Sequence, residues 1–397
     1  MSIVSEIRTY GEKAVLAKRE LVKLSTEMKN TVLFAMADAL ANKQSAIIEE
    51  NKKDLAAGEA RGLGKAMLDR LMLNEKRIGE MSEGVRQVAA LKDSVGEIIS
   101  EWTQPNGLRF QKVRSPIGVI GIIYESRPNV TADCTALCLK SGNAVILRGG
   151  SEAIHSNIAI FEAMEDAATK AGLPQAAMQL VRDTDREAVR ALLELEGYVD
   201  LVIPRGGEGL IRKVVEYAKV PVIKQYKGVC HTYVDKSADL KMGVEIAFNA
   251  KVQRPSVCNA MECLLVHAAV AQEFLPLAAG PLVQANVEIR GDARTCEILP
   301  SATPATDADW GTEFLDYILA VRVVKDLDQA VEHIAQYGSG HSEAIITSDE
   351  KAAAEFLNRV DASSVYVNAS TRFTDGGQFG MGAEIGISTD KLHARGP

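Results

Sequence analysis

Long apolar runs are missing from this sequence. No stretch of its 397 residues has membrane-spanning length, and no basic-then-apolar leader opens it. The first residues, Met1-Ser2-Ile3-Val4-Ser5-Glu6, already read as helix, so a cytoplasmic location is expected. Cysteine is scarce. Cys134, Cys138, Cys230, Cys258, Cys263 and Cys296 are too few and too scattered for a disulfide framework in a chain this long. Cys258, Cys263 and His267 are spaced C-x4-C-x3-H with no second CxxC pair, a poor match to structural zinc, and no metal is expected. Positive charge is in deficit. With 45 Lys and Arg against 53 Asp and Glu the net charge is −8, which argues against a nucleic-acid partner, since phosphate binding needs a basic surface. No G-x-S-x-G elbow surrounds His341-Ser342, so a serine hydrolase is excluded and that turn histidine reads as structural or solvated. A complete G-x-G-x-x-G is also lacking.

What is present reads as a soluble α/β protein. The 47% hydrophobic and 25% charged shares are ordinary, and 397 residues imply two or three domains. Residues 1 to about 92 show helical period: Leu21, Leu24, Met28, Val32, Met36 and Leu40 recur every three to four positions, with Ser25 as a cap. The period then changes. Ile98–Gln104 and Leu108–Val113 flank Pro105-Asn106-Gly107, a hairpin signal. The hairpin either pairs with another subunit through its edge or folds onto its own domain; the sequence leaves both open.

From Pro116 onward, buried strands alternate with helices, as in a doubly wound parallel sheet. Strands are expected at 118–124, 144–147, 179–181, 201–203 and 220–223, with helices at 131–140, 153–171, 185–195 and 209–218. Arg148-Gly149-Gly150-Ser151 and Arg205-Gly206-Gly207 end two of these strands and feed helix N-termini, which suits phosphate. Arg148 is placed to meet the extra 2′-phosphate of NADP, although two ordinary connections with solvated arginines fit equally. A second α/β unit follows, with strands near 263–267, 287–289, 318–324, 343–347 and 364–368. The Gly-, Ser- and Thr-rich stretch 369–397 has no helical period and suits loops that line a site or wrap a neighbour, and Ala394 to Pro397 do not read as a domain end.

The chemistry centres on Lys251-Val252-Gln253-Arg254-Pro255-Ser256-Val257-Cys258-Asn259-Ala260-Met261-Glu262. It places one cysteine in a polar loop with Arg254 and Lys251 nearby, and nearby cations favour a thiolate nucleophile. A small buried apolar cysteine is the competing reading, and the loop alone leaves both open.

The order of parts resembles the aldehyde dehydrogenase superfamily: helical start, hairpin, the P-x-G-V-x-G strand at Pro116, cofactor turns, a cysteine domain and a Gly-rich return. The cysteine passage, together with Ala330-Val331-Glu332-His333-Ile334 and Tyr337-Gly338-Ser339-Gly340-His341-Ser342-Glu343, resembles the branch that reduces L-glutamate 5-phosphate to L-glutamate 5-semialdehyde. That resemblance covers essentially the whole chain. It implies an aldehyde dehydrogenase-like α/β fold with a Rossmann-type cofactor domain, an α/β catalytic domain and a small oligomerisation element. The cofactor domain would take residues 1–97, 114–229 and about 361–375; the catalytic domain 230–360; the oligomerisation hairpin and tail 98–113 and 376–397.

The resemblance also implies NADPH as hydride donor, a Cys258 thioester, a homo-oligomer and functional coupling to glutamate 5-kinase. Cys258 N–H is one implied oxyanion donor and Asn129 the other, although direct counting puts Arg127 at the family's asparagine position. Arg148, Gly149, Gly150 and Ser151 fall near the adenosine ribose, Arg205, Gly206 and Gly207 near the pyrophosphate. Glu313 falls at the glutamate that holds the nicotinamide ribose, or is a surface carboxylate. Hydrolytic members carry E-L-G-G-K, whose glutamate activates water; here Gln225-Tyr226-Lys227-Gly228-Val229-Cys230 stands in that region. Without that base the thioester favours phosphate over water. From their chemistry, Arg127, Arg254 and Arg372 are candidates for the substrate's anions. A thioester-forming dehydrogenase acting on an acyl-CoA or another acyl phosphate is the nearest alternative.

Overall fold

The computed structural model describes residues 2–391, which divide into two units: 2–224 with 382–386, and 225–381 with 387–391. The first unit begins with helices Ile3–Leu21, Thr26–Asn42, Gln44–Ala60, Lys65–Leu71 and Glu75–Ala90. Ser25 caps the second, its hydroxyl accepting from Met28 N–H at 3.2 Å, as the sequence suggested. The buried faces of these helices, including Val32, Met36, Leu40, Ile78 and Val85, join the strands in one apolar core.

The hairpin strands β1 (Ile98–Thr103) and β2 (Arg109–Val113) pair antiparallel, and every residue in both is exposed. Gly107 takes φ +88° in the turn, a conformation that favours glycine. Trp102 and Phe110 stack at 5.5 Å on this ribbon.

Four parallel strands follow: β3 (Val119–Tyr124), β4 (Ala144–Gly149), β5 (Met178–Leu180) and β6 (Leu201–Arg205), in the order β5-β4-β3-β6. The first two are buried on both faces, which explains the apolar runs 119–124 and 144–147. The expected fifth strand at 220–223 is reduced to a single bridge from Val222 to Val202. Pro221 breaks it up, since proline has no N–H for a ladder.

The second unit is a seven-stranded parallel sheet. Its strands are β7 (Cys230–Val234), β8 (Met261–His267), β9 (Glu288–Gly291), β10 (Thr303–Pro304), β11 (Ile318–Val324), β12 (Ser342–Ile346) and β13 (Ser364–Val367). They run in the order β10-β9-β11-β8-β7-β12-β13. Alternate residues feed two cores: Leu264, Val266, Leu319 and Val321 one face, Cys263, Leu265 and Ala320 the other. Two boundaries differ from expectation. The division falls at 224/225, and residues 361–375 belong to the second unit because β13 extends its sheet through β12. The tail is also shared: Gly382–Gly386 sits with the first unit, 376–381 and 387–391 with the second. Residues 392–397 of the expected oligomerisation tail, including Ala394 to Pro397, lie outside the described residues.

Candidate active site

In the first unit the chain reverses direction across the sheet between β3 and β6, the switch point where open α/β sheets bind ligands at strand C-terminal ends. The two loops touch there. Glu125 N–H donates to Arg205 O at 3.1 Å, and Gly207 N–H donates to Glu125 Oε2, also at 3.1 Å. A side chain on Gly206 would meet the Glu125 carboxylate and Leu210, which would have to move aside. Beside it opens a cavity of about 1040 Å³ whose lining includes Arg148, Gly150, Ser151, Glu152, Arg186 and Lys213. Its volume, the glycine turns and the uncapped start of helix Glu208–Tyr217 fit a dinucleotide.

Residues expected here fare differently. Gly150 and Ser151 line the cavity. Gly149 stands against Asn157. Arg148 lines it too, but its terminal nitrogens donate to Gly149 O (3.1 Å), Thr184 O (2.7 Å) and Asp185 O (3.2 Å). Burial lowers the pKa of this guanidinium, and its Nε has no partner. Arg148 therefore ties the ends of two strands together, and the donors expected to meet a 2′-phosphate are spent on carbonyls. Arg205 packs against Gly386 rather than lining the cavity. The exposed cations at the cavity are Arg186, Arg190 and Lys213, which the glycine turns gave no reason to single out. Arg127 and Asn129 are exposed at the start of helix Asn129–Lys140, where Asn129 Nδ2 donates to Asp133 Oδ2 at 2.8 Å. Burial lifts the Asp133 carboxyl to about 6.

The cysteine centre of the second unit lies at the N-terminal edge of its sheet. Residues 253–260 precede β8, Gly228 precedes β7, Glu313 precedes β11 and His341 precedes β12. The opposite edge carries a small acidic cavity of about 230 Å³. Cys258 is half-buried, whereas Cys134, Cys138, Cys230 and Cys263 are buried. Burial pushes the Cys134 thiol up to about 12 and those of Cys138 and Cys230 well above the ordinary value. Cys230 instead supports the loop, its Sγ donating to Cys258 O at 3.2 Å.

Gly228 lies directly against the Cys258 main chain, and its N–H donates to Glu313 Oε1 at 2.7 Å. Glu313, which the sequence left as a ribose ligand or a surface carboxylate, is thus bonded to the glycine that lies against the Cys258 main chain. Lys251 does not supply the cation expected near the thiol. It is fully buried and donates to Glu262 Oε2 at 2.5 Å, while Leu315 N–H donates to Glu262 Oε1 at 3.1 Å. Burial lifts the Glu262 carboxyl to about 7 and lowers the pKa of Lys251. This pair clamps both ends of the cysteine loop to the segment carrying Glu313.

The cations that do attend the loop are Arg254 and Arg372. Arg372 donates through Nε to Gln253 Oε1 at 3.1 Å and through Nη1 to Asn259 Oδ1. Burial and the neighbouring Arg254 both lower its pKa, opposed by Asp375 and the Cys258 thiol. Arg127 belongs to the other unit. Beneath the loop, His341 is buried, hydrogen-bonded through Nδ1 to Ser342 Oγ at 2.7 Å, and depressed to about 4 by burial. The turn histidine is structural, not solvated. His231 and Glu343 form a second buried pair that sequence reasoning missed, with Nδ1 and Oε2 3.0 Å apart.

Two sheets of this kind, one ending in glycine turns and one carrying a loop cysteine at its N-terminal edge, define a cofactor-dependent dehydrogenase architecture. The aldehyde dehydrogenase family model matches residues 5–306 and 306–384, and the chain belongs to that family. Within it, the chain is 59% identical over 397 residues to the gamma-glutamyl phosphate reductase of Moorella thermoacetica, covering 100% of this chain and 95% of the relative. The gamma-glutamyl phosphate reductase of Heliobacterium modesticaldum is 55% identical over the same shares. The crystal structure of gamma-glutamyl phosphate reductase from Thermotoga maritima superposes with a TM-score of 0.95 at 49% identity, over 99% of this chain and 95% of that one.

Proposed function

We propose that this protein reduces L-glutamate 5-phosphate to L-glutamate 5-semialdehyde with NADPH, releasing phosphate, as the second step from glutamate to proline. The reading rests on one observation: a half-buried loop cysteine whose loop is attended by Arg254 and Arg372, with Gly228 packed against its main chain. Cys258 Sγ attacks the acyl carbon, the carbon–oxygen bond to phosphate breaks, and a Cys258 thioester forms. NADPH, when bound, supplies the hydride that takes this thioester to the aldehyde level. Cys258 N–H and the Asn129 amide stabilise the oxygen that becomes negative at each tetrahedral stage. Glu313 holds the nicotinamide ribose, while Arg148, Gly149, Gly150, Ser151, Arg205, Gly206 and Gly207 shape the rest of the cofactor site. Arg186, Arg190 and Lys213, exposed at the cavity, supply positive charge for the 2′-phosphate. Arg127, Arg254 and Arg372 bind the substrate's anions.

The exposed hairpin 98–113 and the tail from 376 join copies into a homo-oligomer, and the enzyme works in the cytoplasm in sequence with glutamate 5-kinase, which makes its labile substrate. Among the described residues no helix is long and apolar enough to cross a membrane. The test runs the reaction backwards with NADP, glutamate semialdehyde and inorganic phosphate. NADPH should form only when phosphate is present, and Cys258→Ala should abolish it. NADPH formation that ignores phosphate, or that takes coenzyme A in its place, refutes the reading.

A further inference from the structure

We propose that Arg372 and Arg254 form the subsite for the phosphate group of the acyl phosphate, and that Asn259 and Gln253 are its positioning residues. The inference rests on the reading that Cys258 attacks L-glutamate 5-phosphate. In that substrate the phosphate is joined through one oxygen to the carbon under attack. The α-carboxylate is four carbon–carbon bonds further away. Cations that attend the nucleophile loop itself therefore face the phosphate, and the amino-acid end extends beyond them.

The geometry ties Arg372 to that loop on both sides of the cysteine. Its Nε donates to Gln253 Oε1 at 3.1 Å, and its Nη1 to Asn259 Oδ1, the side chain directly after Cys258. Arg254 follows Gln253 and is exposed. Among the described residues neither arginine forms an ion pair with a carboxylate. Arg254 acts against the charge of Arg372, Asp375 only partly offsets it without an ion pair, and a multiply charged anion would relieve the repulsion.

Asn259 explains how Arg372 is held without an ion pair. It is buried, at 4% exposure. Its Nδ2 donates to Thr374 O at 2.8 Å, and its main-chain carbonyl accepts from Thr371 Oγ1 at 2.8 Å. Thr374 Oγ1 is in turn hydrogen-bonded to Ser342 Oγ at 2.6 Å and Tyr366 OH at 2.9 Å, which anchors the segment to the sheet. The position needs one group that accepts from a guanidinium and donates to a carbonyl. An amide does both and leaves the charge of Arg372 available. An ionised carboxylate cannot donate, and it would cancel that charge.

The test uses the full chain in the reverse direction, with inorganic phosphate and semialdehyde varied separately at saturating NADP. Arg372→Gln, and the nearly isosteric Asn259→Asp, should each raise KM for phosphate roughly 10- to 100-fold, with KM for semialdehyde changing less than about 2-fold. A rise in KM for semialdehyde with phosphate unaffected would overturn the assignment and give these arginines to the α-carboxylate. Unchanged values for both would overturn it outright. Iodoacetamide labelling of Cys258 and a thermal melt confirm folding, and if Arg372→Gln does not fold, Asn259→Asp alone decides. Failure of the underlying reading looks different: the unmodified protein would then show no phosphate dependence at all.

Discussion

Gly228→Ala puts the smallest side chain where the cysteine loop leaves no room. A Cβ at this position would lie 2.7 Å from Cys258 Cα and 2.6 Å from its carbonyl carbon. Ordinary contact needs about 3.4 Å or more, so the two segments must separate by on the order of 1 Å. Neither is free to yield. Gly228 N–H is bonded to Glu313 Oε1 at 2.7 Å, and Cys258 O receives Cys230 Sγ at 3.2 Å. The strain costs about 1–3 kcal/mol of stability, whereas a displacement of this size at a nucleophile costs roughly 100-fold in rate. The variant should therefore fold, with a modestly lowered denaturation midpoint, yet lose about two orders of magnitude in phosphate-dependent NADPH formation. Alkylation of Cys258 by iodoacetamide should change rate as well, because the thiol itself moves. Wild-type turnover combined with wild-type alkylation kinetics would refute the argument that this glycine sets the position of the loop.

Other outcomes follow from the buried polar pairs and from the hairpin. Burial alone would lower the pKa of His231, but the Glu343 carboxylate outweighs it and holds the imidazole at about 10, against 6.5 when unperturbed. The stability this contributes is complete below pH 6.5 and is lost as pH rises towards 10, so the melting temperature should fall across that window and Glu343→Gln should flatten the decline. On the acid side, burial depresses His341 to about 4, so stability present above pH 6.5 should be lost as pH falls towards 4; a thermal melt series on His341→Gln, which removes the titrating group, should lack that contribution. Lys251→Met strands the Glu262 carboxyl and should cost about 3–5 kcal/mol in urea denaturation, most of it restored in the double variant Lys251→Met/Glu262→Leu. A double variant no more stable than the single one would contradict this. Trp102→Ser with Phe110→Ser should move the protein to a smaller species in sedimentation velocity while changing the stability of each subunit by less than about 0.5 kcal/mol. An unaltered sedimentation coefficient would remove the hairpin from the assembly.

The sequence by itself determined the local and the compositional. Unbroken apolar runs at 118–124 and 144–147 announced strands covered on both faces, because a strand buried on both sides has no polar face to show. Helical period located the N-terminal helices, Asn106-Gly107 located the hairpin, and the polar loop with its arginine singled out Cys258 from five other cysteines. Only the tertiary structure decided which neighbours those residues meet. Lys251 is seven positions from Cys258 yet is buried against Glu262. Arg372 is over a hundred positions away yet is bonded to both flanks of the loop. Arg148 looked like a phosphate reader but is held by carbonyls of a distant turn. Segment 361–375 joined the unit its position in the chain did not suggest, since strand pairing and not sequence distance sets sheet membership. Periodicity records which face of an element is buried, but hydrogen bonds and charge pairs between distant segments leave no local pattern. The partners of Asn259, Gly228 and His231 therefore became visible only when the chain was folded.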